Sequence, residues 1–369
     1  MSGEPDLAAV AAAFAIEGTW LGAERYGSGH INRTYLSEFE TPEGRRRYLH
    51  QAIHGDVFRD VPGLMRNIER VTSHLRERAD RARPGERWEV LELVPTRSGA
   101  VVHRAADGRS WRTFPCIEGA RTYDVAPTPD IAREAARGFG RFARDLADFD
   151  PSRLVESIPR FHDLEGRLAR LRGVTFEDPV GRAAIAEAEL ESVWARVELA
   201  DELREVRANG GLPVRVTHND TKVNNVLLDD DTGRAVAVID LDTVMPGTLL
   251  FDFGDLVRTA TCPAPEDETD PSRVFVDFAL FDAVAEGYVG EIASFATSTE
   301  LESLLLGGRF ITFIIGVRFL TDYLEGDAYF PTSRPHQNLD RARTQLALLR
   351  SLERYESELR AIVDRHRGG

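Results

Sequence analysis

Lysine is nearly missing: of 46 basic residues one is lysine, Lys222, and all the others are arginine. Cysteine is scarce as well. Cys116 and Cys262 are too few for a disulfide framework and are not spaced as a metal site, which leads us to expect a reducing, cytoplasmic setting. Positive charge is in deficit, with a net charge of −15 and a pI near 5.2. So acidic a surface repels nucleic acid and anionic membranes, so neither is expected as a partner. A polyanionic ligand would instead have to be met by metal ions, backbone amides and a few placed cations. No run approaches 18 apolar residues, which excludes a membrane span on composition. Glu4 and Asp6 stand where a signal peptide would be basic, and Leu7 to Ile16 reads as an amphipathic helix. Internal repeats and low-complexity segments are also absent.

What is present describes an ordinary globular protein. The 369 residues are 42% hydrophobic and 29% charged, enough for a large core and two lobes. The first third reads as strands and turns. Tyr26 to His30 breaks a strand pair, Thr34 to Phe39 alternates, and a turn at Thr41 to Gly44 leads into Arg47 to Ile53. The spacing of Leu64, Ile68, Val71 and Leu75 predicts a helix over 63–78. Trp88 to Pro95, Ala100 to Arg104 and Trp111 to Cys116 then read as three more strands. Beyond Ile117-Glu118-Gly119 the pattern is almost wholly helical. One interruption is a hairpin, Val226 to Leu228 and Ala235 to Ile239, around a turn at Asp229 to Gly233. The expected fold is therefore α+β and bilobal, with a small antiparallel sheet lobe over 1–117 and a larger, mainly helical lobe over 118–369.

The lone lysine lies in Thr217-His218-Asn219-Asp220-Thr221-Lys222-Val223-Asn224-Asn225. The order His-x-Asp-x-Lys-x-x-Asn resembles the catalytic loop of eukaryotic-like kinases. Taken alone, the placement of Lys222 could equally be chance in a solvated loop. In its setting, a compact ammonium can follow a moving phosphoryl group as a point charge, which a planar guanidinium does not do equivalently. Phosphoryl transfer needs an acceptor hydroxyl held in line, a carboxylate to take its proton and cations on the phosphates. Asp220 is placed to be that base. Asn225 offers an amide oxygen for Mg²⁺, and Asp240, delivered by the second strand of the hairpin, offers a carboxylate. His218 is read as bracing the loop by hydrogen bonding. Asp252-Phe253-Gly254 spells a kinase metal motif but stands 27 residues past Asn225, against 15 for Asp240. Asp252 and Asp255 are read as opening the next helix and supporting the catalytic loop.

Further segments carry a more specific likeness: residues 26–32 (Tyr-Gly-Ser-Gly-His-Ile-Asn), 64–68, 117–119, 218–225, 238–247 (Val-Ile-Asp-Leu-Asp-Thr-Val-Met-Pro-Gly) and 316–330. With them the chain resembles the aminoglycoside phosphotransferase superfamily, and within it the bacterial N-acetylhexosamine 1-kinases. The resemblance implies ATP and Mg²⁺ as cofactors, a sugar as acceptor and phosphorylation at its anomeric oxygen. It implies that Asp220 deprotonates that hydroxyl with Lys222 nearby, and that Asn225 and Asp240 hold the metal. Thr243, Arg318 and Tyr329 match positions that line the sugar pocket, while His30 and Asn32 would close over sugar or phosphates. For Arg318 an ion pair with Asp322 at i,i+4 is an equally good reading. Tyr329 could be a packed ring and His30 a turn residue.

The resemblance breaks at one place. Kinases usually carry a third-strand lysine against the α- and β-phosphates, and here Gln51 stands there. Glu69, in the following helix, is left without an evident partner. The nucleotide grip then falls to Lys222, Mg²⁺ and the amides of Gly27, Ser28 and Gly29, with adenine meeting the backbone around Ile117. Two alternatives remain open: a kinase of another small alcohol, such as an aminoglycoside or amino alcohol, and a catalytically silent kinase-shaped binding protein.

Overall fold

A computed structural model describes residues 4–27, 31–79 and 86–367. Ser28, Gly29 and His30, named above for the phosphates and sugar, lie outside the described residues. The amino-terminal part opens with a short helix, α1 (Leu7–Ala12), capped by the Asp6 carboxylate on the Ala9 amide at 3.0 Å. Five antiparallel strands follow: β1 (Thr19–Arg25), β2 (Arg33–Thr41), β3 (Gly44–Ile53), β4 (His103–Arg104) and β5 (Ser110–Pro115). They are arranged β1-β2-β3-β5-β4. Gly44, at φ +111°, supplies the positive φ that the tight β2–β3 turn requires. Helix α2 (Val61–Ala79) lies between β3 and β4 in sequence, and its predicted apolar stripe of Leu64, Ile68, Val71 and Leu75 is buried.

One expectation fails here. Trp88 to Pro95 is not a strand. Its amides go to different partners, Glu89 N to Val236 O at 2.7 Å and Val94 N to Thr113 O at 2.9 Å. A segment that crosses between the two halves of the molecule cannot pair continuously with either sheet. The strand expected over Ala100 to Arg104 shrinks to β4 for its lack of a second neighbour.

The carboxy-terminal part is mainly helical. It begins with the short strand β6 (Ala120–Arg121) and α3 (Pro129–Asp145), which has Thr128 as N-cap and Pro129 in its first turn. Helices α4 (Leu164–Glu177), α5 (Glu187–Trp194) and α6 (Leu199–Ala208) precede the catalytic segment. That segment contains β7 (Arg215–Thr217), β8 (Val226–Asp229), β9 (Ala235–Val238) and β10 (Met245–Gly247), followed by α7 (Leu249–Ala260). The chain closes with α8 (Phe278–Ile292), α9 (Ser298–Glu302), α10 (Leu304–Leu324), α11 (Gln337–Arg354) and α12 (Glu356–His366).

Helix α10 is apolar all round, as an internal helix must be. Contrary to the expectation from composition, it is long and apolar enough to cross a membrane, but 83% of its most apolar stretch is buried in protein. It is the axis of one of two large hydrophobic clusters, packed against α4, α5, α6 and α11. Gly307 of α10 meets Leu250 and Gly254 of α7, where a methyl group would overlap the carbonyl oxygen of Leu250. The other cluster joins α2 of the sheet lobe to Phe139 and Phe142 of α3, the catalytic strands and α8. One apolar core therefore runs beneath both lobes and fixes the site between them.

Candidate active site

The catalytic segment is held from below by one carboxylate. Asp252, in the first turn of α7, accepts the amides of His218 at 3.0 Å and Asn219 at 2.7 Å, while the Thr221 hydroxyl donates to its carbonyl at 2.6 Å. Burial pushes the Asp252 carboxyl up to about 7, and the two amides pull it back. His218 braces the loop from the other side. Its Nε2 lies 3.0 Å from the carbonyl of Ile239, and its ring packs edge-on against Phe139 and Phe142. Burial holds this imidazole below its ordinary pKa, in the neutral form. Asn219 takes a positive φ of +64° and ties the loop to Thr217 and Thr243 through its side chain.

This scaffold presents Asp220 toward the cleft, its side chain 22% exposed. Lys222 Nζ is 2.9 Å from Asp220 Oδ1, and Asn225 Nδ2 donates to Asp220 Oδ2 at 3.1 Å and to its carbonyl at 2.9 Å. Burial alone would raise the Asp220 carboxyl, but the Lys222 ammonium overrides it and the net shift is downward. The Lys222 ammonium is raised in turn, first by the Asp220 charge. The pair is ionised at neutral pH.

The hairpin brings the remaining members together. Val226 pairs with Val238, so Asn225 and Asp240 flank the same end of the ladder, and the Ile239 amide donates to Asn225 O at 2.9 Å. Asp240 takes a left-handed conformation, φ +58°, uncommon for a residue with a β-carbon. Asp240 is exposed. The surrounding protein mass, then the carboxylates of Asp242 and Asp220, push its carboxyl up to about 7.

The donor set suits a hard divalent cation. Both ends of the Asn225 amide are accounted for if its nitrogen serves Asp220 and its oxygen is free, and Asp240 accepts no hydrogen bond among the described residues. Two like-charged carboxylates facing one cleft favour a cation there. Mg²⁺ takes oxygen ligands and few protein groups, so two side chains are an ordinary complement.

The Gln51 position resolves in an unforeseen way. Gln51 on β3 stands directly opposite Arg112 on β5 and accepts its Nε at 2.9 Å. Arg112 is buried, at 1% exposed, and pairs through Nη1 with Asp242, at 4%. The second Asp242 oxygen accepts Asn32 Nδ2 at 2.5 Å, and Asn32 Oδ1 accepts the His54 amide at 3.1 Å. A buried guanidinium thus stands on the neighbouring strand, paired with Asp242, and its charge reaches Asp240. Glu69 is exposed, as expected without a lysine to meet. Composition hid Arg112, one arginine among 45; burial of both faces of β5 is what identifies it.

Other residues fall into place or out of it. Gly27 turns the chain after β1 with φ +76°. Ile117 follows β5, and its backbone N–H has no backbone partner among the described residues. Arg318 and Tyr329 share a cavity of about 450 Å³ that also contains Ser157, whose hydroxyl donates to the Asp242 carbonyl at 2.6 Å. The expected Arg318–Asp322 ion pair is absent, because Asp322 accepts the amides of Tyr329 and Phe330 at 2.7 and 2.9 Å. Thr243 and Asn32 do not line this cavity. The turn Leu241–Thr243 points Thr243 inward with its hydroxyl buried, and Asn32 is committed to Asp242. A second cavity, of about 400 Å³, borders Asn219 and shares Phe161 with the first.

Known proteins are similar to this chain in sequence family and in fold. Residues 22–286 match the phosphotransferase enzyme family. The solved structure of an aminoglycoside phosphotransferase from Alicyclobacillus acidocaldarius is similar over 99% of this chain and 98% of its own, with a TM-score of 0.60 and 14% identity. A microcompartment-associated aminopropanol kinase is similar over 95% and 98%, with a TM-score of 0.53 and 16% identity. A spectinomycin phosphotransferase in complex with ADP and spectinomycin is similar over 88% and 92%, at 0.52 and 13%. At such identities these likenesses show the fold, the protein-kinase-like arrangement of a sheet lobe on a helical lobe. The family match covers well over half of the chain, and the chain belongs to the phosphotransferase enzyme family.

Proposed function

We propose that this phosphotransferase is an ATP-dependent kinase of a sugar hydroxyl, the acceptor being the anomeric oxygen of an N-acetylhexosamine or related hexosamine. The observation that carries the reading is the meeting of an ionised, partly open Asp220 with Lys222, Asn225 and Asp240 at one end of a hairpin. Asp220 accepts a hydrogen bond from the acceptor hydroxyl and takes its proton as the oxygen attacks the γ-phosphorus. The new P–O bond forms as the bond to the β,γ-bridging oxygen breaks, and ADP departs with that electron pair. Lys222 tracks the charge on the moving phosphoryl group, and Arg112 offsets the carboxylates of Asp240 and Asp242. Asn225 and Asp240 would hold Mg²⁺, which when bound neutralises charge on the phosphates. The free amide of Ile117 and the turn at Gly27 are assigned to adenine and phosphates. Tyr329 offers a ring face and Arg318 directional donors to the sugar. The two thiols, neither of them in a disulfide, fit the cytoplasmic setting proposed from composition.

Phosphorus NMR of Mg·ATP incubated with a panel of free sugars and amino alcohols tests the reading. An anomeric phosphate resonance with hexosamines supports it. Phosphate on an amino alcohol or aminoglycoside alone would move the protein to another branch of the family. ATP left intact with every acceptor would favour a silent binding protein.

A further inference from the structure

We infer that the acceptor carries an anionic group, a carboxylate or a phosphate, and that Arg318 and Arg167 receive it in the cavity beside Asp242. The inference rests on that cavity being the acceptor site of the kinase. Arg318 comes from α10 and Arg167 from α4, and both line the cavity. Neither makes a side-chain hydrogen bond or ion pair among the described residues. The Arg318 guanidinium instead lies against the rings of Phe161, Tyr329 and Phe330, at 5.7, 5.7 and 5.3 Å from their centres.

Asp56, Asp60 and Glu156 also line the cavity but bond to neither arginine, and the carboxylates of Asp322 and Glu325 are committed elsewhere. Asp322 holds two backbone amides and Asn338 Nδ2, the last at 2.9 Å, while Glu325 is doubly bonded by Arg170 at 2.7 and 2.6 Å. Two guanidinium groups thus line one cavity with no carboxylate bonded to either among the described residues. Ring faces are a weaker partner for a guanidinium than a carboxylate or phosphate. Burial holds both groups below the ordinary arginine pKa; the Arg167 charge further depresses Arg318, and the Arg170 charge further depresses Arg167. The missing partner is an anion. Carboxylate and phosphate accept the planar fork of arginine bidentately, which a neutral hydroxyl does not.

The test compares matched acceptors: glucose with glucuronic acid, and N-acetylglucosamine with its 6-phosphate. The anionic member of each pair should have at least tenfold higher kcat/KM. Arg318→Gln and Arg167→Gln should each lower the anionic-to-neutral ratio at least tenfold, with the KM for ATP unmoved. Arg318→Lys should restore part of the ratio, and thermal melts confirm that each variant folds. Equal use of both members, or a ratio that the variants do not change, overturns the inference, as does a loss confined to the KM for ATP. These results would leave the sugar-kinase reading intact. If no sugar is phosphorylated, that reading falls, and calorimetry decides the subsite separately. Glucuronate binding that Arg318→Gln weakens tenfold supports the subsite, and glucuronate binding no tighter than glucose overturns it.

Discussion

Arg112 places a buried cation beside the position where the third strand lacks one. The third strand offers Gln51, an amide that carries no charge but orients a neighbour, and the guanidinium comes from the residue directly across the ladder. Arg112 and Asp242 are both buried, so removing one partner leaves an uncompensated charge, worth about 3–5 kcal/mol. Arg112→Met should therefore lower the unfolding free energy by about that amount, read by urea denaturation. Combining it with Asp242→Asn should recover much of the loss. A single variant as stable as the parent would mean that the pair holds nothing together. At this scale the clustering of Asp220, Lys222, Asn225 and Asp240 was legible, because they sit at fixed offsets around a hairpin. Arg112 was not, since an arginine on a strand is invisible among so many until pairing shows what it faces.

Asp252 makes an element-scale case. It spells a kinase metal motif, yet its carboxylate faces the backbone of the catalytic loop and its side chain is sealed in the core. Asp252→Ala would leave the amides of His218 and Asn219 without acceptors, a cost of about 2–5 kcal/mol. Its expected result is a lower melting temperature with residual turnover still dependent on Mg²⁺. A stable variant that loses this dependence would transfer the metal to Asp252.

The sheet has its own titration. His50 on β3 is buried between the hydroxyls of Ser37 and Thr113, at 2.8 Å from each, and burial lowers its pKa to about 4. An unfolded histidine titrates near 6.5, so between about 6.5 and 4 the unfolded state binds the extra proton. Stability should fall as the pH drops through that window, by up to about 1.4 kcal/mol per pH unit from this group. Denaturation curves at pH 7 and pH 4.5 should diverge less in His50→Gln than in the parent; an unchanged difference would place the titration elsewhere. Elements with a repeating pattern, such as α2 and the β8–β9 hairpin, could be read in advance. Trp88 to Pro95 could not, because local propensity does not reveal that its amides serve two different halves of the molecule.

The whole molecule is a sheet lobe and a helical lobe with the reacting groups at their junction. Several contacts cross it: Arg112 to Asp242, Asn32 to Asp242, and Glu89 to Val236. With an overall charge of −15 the surface as a whole repels ATP, which raises the weight of the cations placed near the junction, Arg112 and Lys222 among them. Where the chain passes from β5 toward β6, the Ile117 amide is the proposed adenine donor. Ile117→Pro removes that donor and should raise the KM for ATP about tenfold, whereas Ile117→Val should not change it. Equal effects of the two would place adenine elsewhere.

The most direct measurement pairs catalysis with binding in Asp220→Asn. The substitution keeps the shape of the side chain and removes its capacity to take a proton. With the hexosamine acceptor identified by phosphorus NMR, kcat should fall by at least about 10²–10⁴-fold, while calorimetric affinity for Mg·ATP and the melting temperature stay near the parent values. A kcat within a few-fold of the parent would show that Asp220 is not the base and would contradict the account.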